Sequence, residues 1–97
     1  MSQTAARIHT VRCRRKKAEQ AYIFSLCRGW DIVSDGIRDM ILEQIRRASD
    51  GDALAGRALY DVIVRGKDPK RVSERTGVEL LRIYKMRRDF LNGFPIS

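Results

Sequence analysis

The sequence predicts an all-α fold, a small domain of four or five helices that ends in two helices joined by a tight turn. Apolar residues recur at three- to four-residue spacing through most of the chain, as they do on one face of a helix. Residues that typically begin or end helices separate these stretches. The one strand-like run, at residues 62–64, continues the helical spacing of the residues before it. A chain of 97 residues allows one domain with a core of modest size.

A basic stretch near the N-terminus predicts a flexible arm. Residues 1–11 are small and polar, and residues 12–17 carry five positive charges in six positions. The apolar spacing from Ile8 to Leu26 would allow one long helix through this stretch, but Arg15 falls where that helix needs an apolar residue. We therefore expect an arm over residues 1–17 and a single helical domain over residues 18–97.

The first packed helix is expected to begin near Lys16 and to end before Gly29, with Phe24 on its flank. Its predicted inner face consists of Tyr22, Ile23, Leu26 and Cys27.

Ser34 is the predicted N-cap of the second helix, because its hydroxyl can accept a hydrogen bond from the first turn. A start one turn earlier, at Asp31, would put Gly36 inside the helix at a cost of ~1 kcal/mol relative to Ala. The predicted apolar face consists of Ile37, Met40, Ile41, Ile45 and Ala48.

Residues 49–52 have the composition of a turn and lead into the third helix, which Gly66 is expected to stop. The predicted apolar face of this helix consists of Leu54, Ala58, Leu59 and Val62.

Residues 69–91 form the predicted helix pair. Asp68 is the expected N-cap, and Pro69 suits the first helical position, where φ is already helical and no N–H is needed. Gly77 ends this short helix because the chain must leave it with a positive φ, which Gly tolerates best. The second helix is expected to begin around Glu79, and its apolar face consists of Leu80, Ile83, Met86 or Arg87, and Phe90.

Apolar and small residues of this pair follow a positional pattern. Counted from Pro69, the apolar fourth, tenth, fifteenth and eighteenth residues are Val72, Val78, Ile83 and Met86, while the fifth and ninth are Ser73 and Gly77. Apolar groups at these places close a small core between two crossed helices, and a bulky fifth residue would hold the helices apart. On these residues the sequence resembles the helix-turn-helix family of DNA-binding domains. With the preceding helix it looks most like the four-helix C-terminal (region 4-like) domain of bacterial sigma factors and small regulators built on it, over about residues 53–92.

The resemblance implies that the second helix lies in the DNA major groove while the first spans the backbone. Arg and Lys side chains can reach guanine O6 and N7, and Glu can accept from cytosine N4. The second-helix residues expected at DNA are Glu79, Leu81, Arg82, Tyr84, Lys85 and Arg88. The residues expected at phosphates are Lys67, Lys70, Arg71 and Arg75, together with Arg14, Arg15, Lys16 and Lys17 of the arm.

Leu80 and Leu81 depart from the family pattern, which usually has polar base-reading residues at these places. A leucine can contact a thymine methyl, but two adjacent leucines are also typical of a protein-binding surface. Leu80 also shares its helix face with Ile83 and Phe90. The sequence leaves open whether these leucines face DNA, the core or a protein partner.

The charge balance favours a polyanionic partner. Twenty Lys and Arg against twelve Asp and Glu give a net charge of +8. Residues 1–28 carry +6, residues 29–66 carry −2 and residues 67–97 carry +4. Both ends of the chain therefore attract polyanions, and the middle does not.

No run approaches the roughly 18 apolar residues of a membrane span, and no export signal is present. We expect a cytoplasmic protein with Cys13 and Cys27 reduced. The single His9 and the two cysteines do not complete a metal site, and no phosphate-binding loop or catalytic constellation appears. We therefore expect neither a cofactor nor enzymatic activity.

The first functional hypothesis is a DNA-binding transcriptional regulator of bacterial or phage type, a source class that only the resemblance implies. The alternative is a sigma-like adaptor that binds RNA polymerase or another regulator through Leu80, Leu81 and Tyr84. RNA or membrane-surface binding by the arm is a third hypothesis, and the low aromatic content of 7% argues against single-stranded RNA. We also expect a homodimer through residues 16–48, since a second half-site adds specificity.

Overall fold

The computed structural model describes residues 13–96 and confirms the all-α fold. Within that part of the chain there are five helices and no strand. The helices are α1 (Lys17–Arg28), α2 (Asp35–Ala48), α3 (Ala53–Ile63), α4 (Pro69–Thr76) and α5 (Leu80–Gly93). None of these helices combines the length and the apolar character that crossing a membrane requires.

The central element is α3, which packs against each of the other four helices. Its inner face is formed by Ala55, Ala58, Leu59 and Val62, all of them buried. The prediction that Leu54 belongs to this face is wrong, because its side chain is 55% exposed. Leu54 lies one position outside the i, i+3, i+4, i+7 series that begins at Ala55, so the helix turns it toward solvent.

The inner face of α1 is narrower than the sequence predicts. Ile23 and Cys27, four positions apart, are fully buried, whereas the predicted core residue Tyr22 is 55% exposed. Leu26 and Phe24 are partly buried against the core. Because α1 packs mainly on α3, only one line of its side chains reaches the interior.

The predicted helix boundaries at α2 and α4 are confirmed. The hydroxyl of Ser34 accepts from the backbone N–H of Ile37 at 3.3 Å, so α2 begins after Ser34 and not at Asp31. Pro69 occupies the start of α4, and Gly77 ends it with φ of 78°.

Part of the predicted arm is packed onto the end of α5. The first twelve residues, including His9, lie outside the described residues. The backbone N–H of Arg14 donates to Asn92 Oδ1 at 2.9 Å, and Arg15 Nε donates to the carbonyl of Leu91 at 3.0 Å. The last carbonyls of a helix lack partners within the helix and attract cations. The side chain of Arg15, within the predicted arm, is therefore packed against the end of α5 and is only 19% exposed.

The left-handed conformation of Gly77 generates a stability prediction. We expect Gly77→Ala to lower the free energy of unfolding by about 1–2 kcal/mol, because a Cβ is strained at positive φ. The matched control is Gly36→Ala in the first turn of α2, where an added methyl meets only the Ser34 hydroxyl, at 4.0 Å. We expect that variant to gain about 0.4–1 kcal/mol. Urea unfolding of both variants measures the difference, and equal midpoints would contradict this account.

Candidate nucleic-acid interface

Two hydroxyl groups hold the turn between α4 and α5. The Ser73 hydroxyl donates to the carbonyl of Val78 at 2.6 Å. The Thr76 hydroxyl donates to the carbonyl of Val72 at 2.6 Å and accepts from the N–H of Val78 at 3.2 Å. Together with the left-handed Gly77, these bonds fix the direction in which α5 leaves α4.

A small apolar core lies between the two helices. Its members are those that the positional pattern predicts, Val72, Val78, Ile83 and Met86, and all four are buried. Met86, and not Arg87, is therefore the third apolar member of the α5 face. Burial of these side chains sets the rotation of α5 about its own axis, and with it the set of residues that faces outward.

Asp61, which the sequence patterns did not indicate, connects α3 to Arg75 of α4 and to the loop before it. Its side chain is 6% exposed, and its Oδ2 accepts from Arg75 Nη2 at 2.5 Å. Its Oδ1 makes no hydrogen bond with any residue that the structure describes, and it lies 3.6 Å from Arg57 Nε. The Asp61 carbonyl also accepts from the N–H of Lys67 at 2.9 Å. The signal in the sequence was an acidic residue beside the apolar face of a predicted helix, because a carboxylate is rarely buried without a partner.

Cations of α4 and of the loop before it share one concave surface. Lys67, Arg71 and Arg75 line a cavity of about 480 Å³ together with Val72. Lys70 lies on the same helix and is exposed. Of the four residues of α4 and its preceding loop that are predicted to contact phosphates, the structure thus brings three together. One of these three, Arg75, also donates to Asp61.

The outer face of α5 is mixed in charge and in exposure. Glu79, Arg82 and Lys85 are exposed, and Arg88 is partly buried beside Asp89, with which it makes a 3.0 Å ion pair. Arg82 pairs with Asp52, the N-cap residue of α3, at 3.2 Å. The hydrogen bond from the N–H of Ala55, helped by the Arg82 guanidinium, holds the pKa of Asp52 below its usual value.

The two leucines that depart from the family pattern do not form an exposed patch. Leu80 and Leu81 are both partly buried. Tyr84, one turn further along, is also partly buried, and the Arg87 guanidinium lies 5.0 Å from the centre of its ring. Among residues 13–96, the large apolar side chains that are exposed lie elsewhere, at Tyr22, Ile32, Leu42 and Leu54.

The basic residues of the arm lie at the opposite end of α5 from its first turn. Arg14, Lys16 and Lys17 are exposed, and the backbone N–H of Arg14 donates to Asn92 Oδ1. Asn92 lies twelve positions after Leu80, about 18 Å along the helix axis. The contact with the arm is therefore far from the start of α5, whereas Arg88, four positions before Asn92, lies about 6 Å from it along the axis.

The cysteines are placed for packing. Burial raises the pKa of the Cys27 thiol to about 12, so the reactive thiolate is not populated at neutral pH. The Cys13 thiol donates to Asn92 Oδ1 at 3.3 Å. Among residues 13–96, no three His, Cys, Asp or Glu side chains are grouped so that they could hold a metal ion.

Comparisons of the chain with models of protein families, with curated proteins and with solved structures find no match. The likeness to the helix-turn-helix family therefore rests on the residues of the pair itself.

We predict that Ser73→Ala lowers the free energy of unfolding by about 1 kcal/mol, because the carbonyl of Val78 loses its donor. Ser25→Ala, on the exposed face of α1, is the control, and we expect a change within about 0.5 kcal/mol. Chemical unfolding of the two variants measures these values. A loss at Ser73 no greater than that at Ser25 would show that the hydroxyl does not hold the turn.

Proposed function

We propose that this chain binds double-stranded DNA through the pair formed by α4 and α5 and acts as a small transcriptional regulator. The observation that carries the proposal is the fixed turn: Gly77, Ser73 and the buried core beneath them hold α4 and α5 against each other. Cations lie on both helices of the pair. A helix held in this way can enter the major groove while its partner contacts the backbone.

In this proposal α5 meets the bases and α4 meets the phosphates. Lys85 and Arg88 would reach guanine O6 and N7, and Glu79 would accept from cytosine N4. Lys67, Lys70 and Arg71 would neutralise phosphates.

Two of the proposed contact residues already make exposed ion pairs. Such a pair contributes up to about 1 kcal/mol, whereas a good bidentate contact with a base contributes about 1–3 kcal/mol. Arg82 can therefore leave Asp52, and Arg88 can leave Asp89, when DNA is present.

Arg75 has a different role from the other α4 cations. If it left Asp61, a buried carboxylate would keep only the Arg57 guanidinium, 3.6 Å away, and that loss is costly. The Arg75 side chain is 60% exposed and a guanidinium carries five donors. We therefore assign Arg75 to hold Asp61 and to offer its remaining donors to a phosphate.

The adaptor alternative requires an apolar surface that a partner protein can cover. Leu80, Leu81 and Tyr84 are all partly buried, and Arg87 lies over the tyrosine ring. No specific observation favours this alternative, and it stays an outcome of the test below. The homodimer through residues 16–48 also stays a prediction, with Tyr22 and Ile32 as exposed apolar side chains in that range.

The first test of the proposal is the double variant Lys85→Ala, Arg88→Ala. We expect it to fold normally and to bind duplex DNA at least about tenfold more weakly, since each base contact is worth roughly 1–3 kcal/mol. The control Arg46→Ala, Arg47→Ala removes the same charge from the exposed face of α2, where both residues pair with Glu43. Fluorescence anisotropy with labelled duplex measures all three affinities.

A folded double variant that binds DNA as tightly as the parent would overturn the DNA proposal. Leu81→Ala then distinguishes the two hypotheses. If α5 reads bases, this variant loses little DNA affinity, and only at a position that carries thymine. An adaptor loses its protein partner while its DNA affinity stays unchanged.

The second test concerns the arm. We expect replacement of Arg14, Lys16 and Lys17 by Ala to weaken binding to all DNA sequences alike. If each cation contacts one phosphate, the slope of log affinity against log salt concentration becomes shallower by about 2.7, at ~0.9 per contact. Arg15 is kept, because its side chain supports the end of α5. A salt dependence identical to that of the parent would show that these charges are only solvated.

A further inference from the structure

A second concave surface, which we name the α2–α3 groove, lies outside the proposed DNA interface except at Lys67. It is a cavity of about 830 Å³ bordered by α2, α3 and the turns that follow α1 and α3. Its apolar wall includes Trp30, Leu42, Ile45 and Tyr60. Leu42 is 45% exposed, so an apolar side chain on α2 stands open to solvent at the edge of the groove.

The aromatic wall of the groove is held in place before any partner arrives. Trp30 and Tyr60 make an edge-to-face contact, with ring centroids 5.5 Å apart and planes at 88°. The Arg38 Nε donates to the Trp30 carbonyl at 2.7 Å, and its guanidinium lies 5.9 Å from the indole ring. Rigid aromatic side chains of this kind anchor interfaces, because little conformational entropy is lost on binding.

The charged lining of the groove is mostly positive. Of the charged residues within 13–96 that border it, four are basic and one is acidic: Arg28, Arg57, Arg65, Lys67 and the acid Asp31. Arg28 is fixed by a 3.2 Å hydrogen bond from its Nε to the carbonyl of Ile63. The groove therefore combines an apolar wall with a positively charged lining.

We propose that the α2–α3 groove binds an acidic amphipathic helix of a partner protein. Apolar anchors at i, i+3, i+4 and i+7 would cover Leu42 and the aromatic pair, while Asp and Glu beside them would meet the cations. DNA fits this requirement poorly, because its surface is dominated by charged phosphates and offers no continuous apolar face to cover Leu42 and the aromatic pair. The inference does not depend on the proposed function, since Lys67 is the one residue that the two surfaces share.

Neither the N-terminal residues of this chain nor a second copy of it matches the charge of the α2–α3 groove. Its residues 1–12 contain Arg7 and Arg12 and no acid, so their charge repels that of the groove. A second copy carries the same net charge of +8 and approaches against a general repulsion. Charge complementarity thus points to a separate, acidic partner.

Trp30 is the only tryptophan of the chain, so its emission reports directly on the groove. The probe is a synthetic Trp-free helical peptide of about 16 residues, with Leu at i, i+3, i+4 and i+7 and Glu on the remaining surface. We expect a saturable blue shift of Trp30 emission as the peptide excludes water. Peptides with Lys in place of Glu, or Ser in place of Leu, should bind at least about tenfold more weakly.

Variants of the protein locate the binding. Leu42→Asp, and separately Arg57→Gln with Arg65→Gln, should each raise the peptide Kd about tenfold or more. The matched controls are Leu54→Asp, an exposed leucine outside the groove, and Arg46→Gln with Arg47→Gln, which removes the same charge. We expect both controls to bind the peptide as the parent does. Circular dichroism verifies the fold of each variant.

Three results would overturn the proposal. One is the absence of a saturable change with the acidic peptide, or a change that Leu42→Asp leaves intact. Another is a Trp30 shift caused by duplex DNA and abolished by Leu42→Asp, which would assign the groove to nucleic acid. The third is emission of the free protein that changes on dilution, which would assign the groove to a second copy. These peptide-binding measurements do not depend on whether the Lys85→Ala, Arg88→Ala variant loses DNA binding.

Discussion

The left-handed conformation of Gly77 is the constraint on which the C-terminal half of the molecule depends. At φ of 78° the chain turns sharply out of α4, and the hydroxyls of Ser73 and Thr76 hold the turn from either side. The buried side chains of Val72 and Ile83 can then meet between the helices. The face of α5 that is left outside, with Lys85 at its centre, follows from this packing.

The central helix α3 ties this unit to the rest of the chain. It contacts all four other helices, and its buried Asp61 holds Arg75 of α4. Its N-cap, Asp52, pairs with Arg82 of α5. Tyr60 and Arg57 of the same helix line the α2–α3 groove. One helix therefore supports two surfaces of different chemistry, a basic polar surface suited to a duplex and an apolar groove lined with cations.

Local chemistry explains which features the sequence could predict. The Ser34 cap, the Pro69 start and the Gly77 stop each depend on one residue and its neighbours, and each was predicted. Exposure of Leu54 and Tyr22 depends on which neighbouring helix covers a face, and spacing alone does not determine this. The bonds of Arg15 to the end of α5 and of Arg75 to Asp61 join distant parts of the chain. The α2–α3 groove escaped prediction for the same reason.

We propose that α4 and α5 form the surface that contacts duplex DNA. Titration of ¹⁵N-labelled protein with a short duplex, followed by amide chemical shifts, measures where the duplex binds. We expect the largest shift changes within residues 67–88 and smaller ones near Arg14, and we expect the Trp30 indole signal to stay in place. Changes centred on the α2–α3 groove, or no changes at low salt, would contradict it.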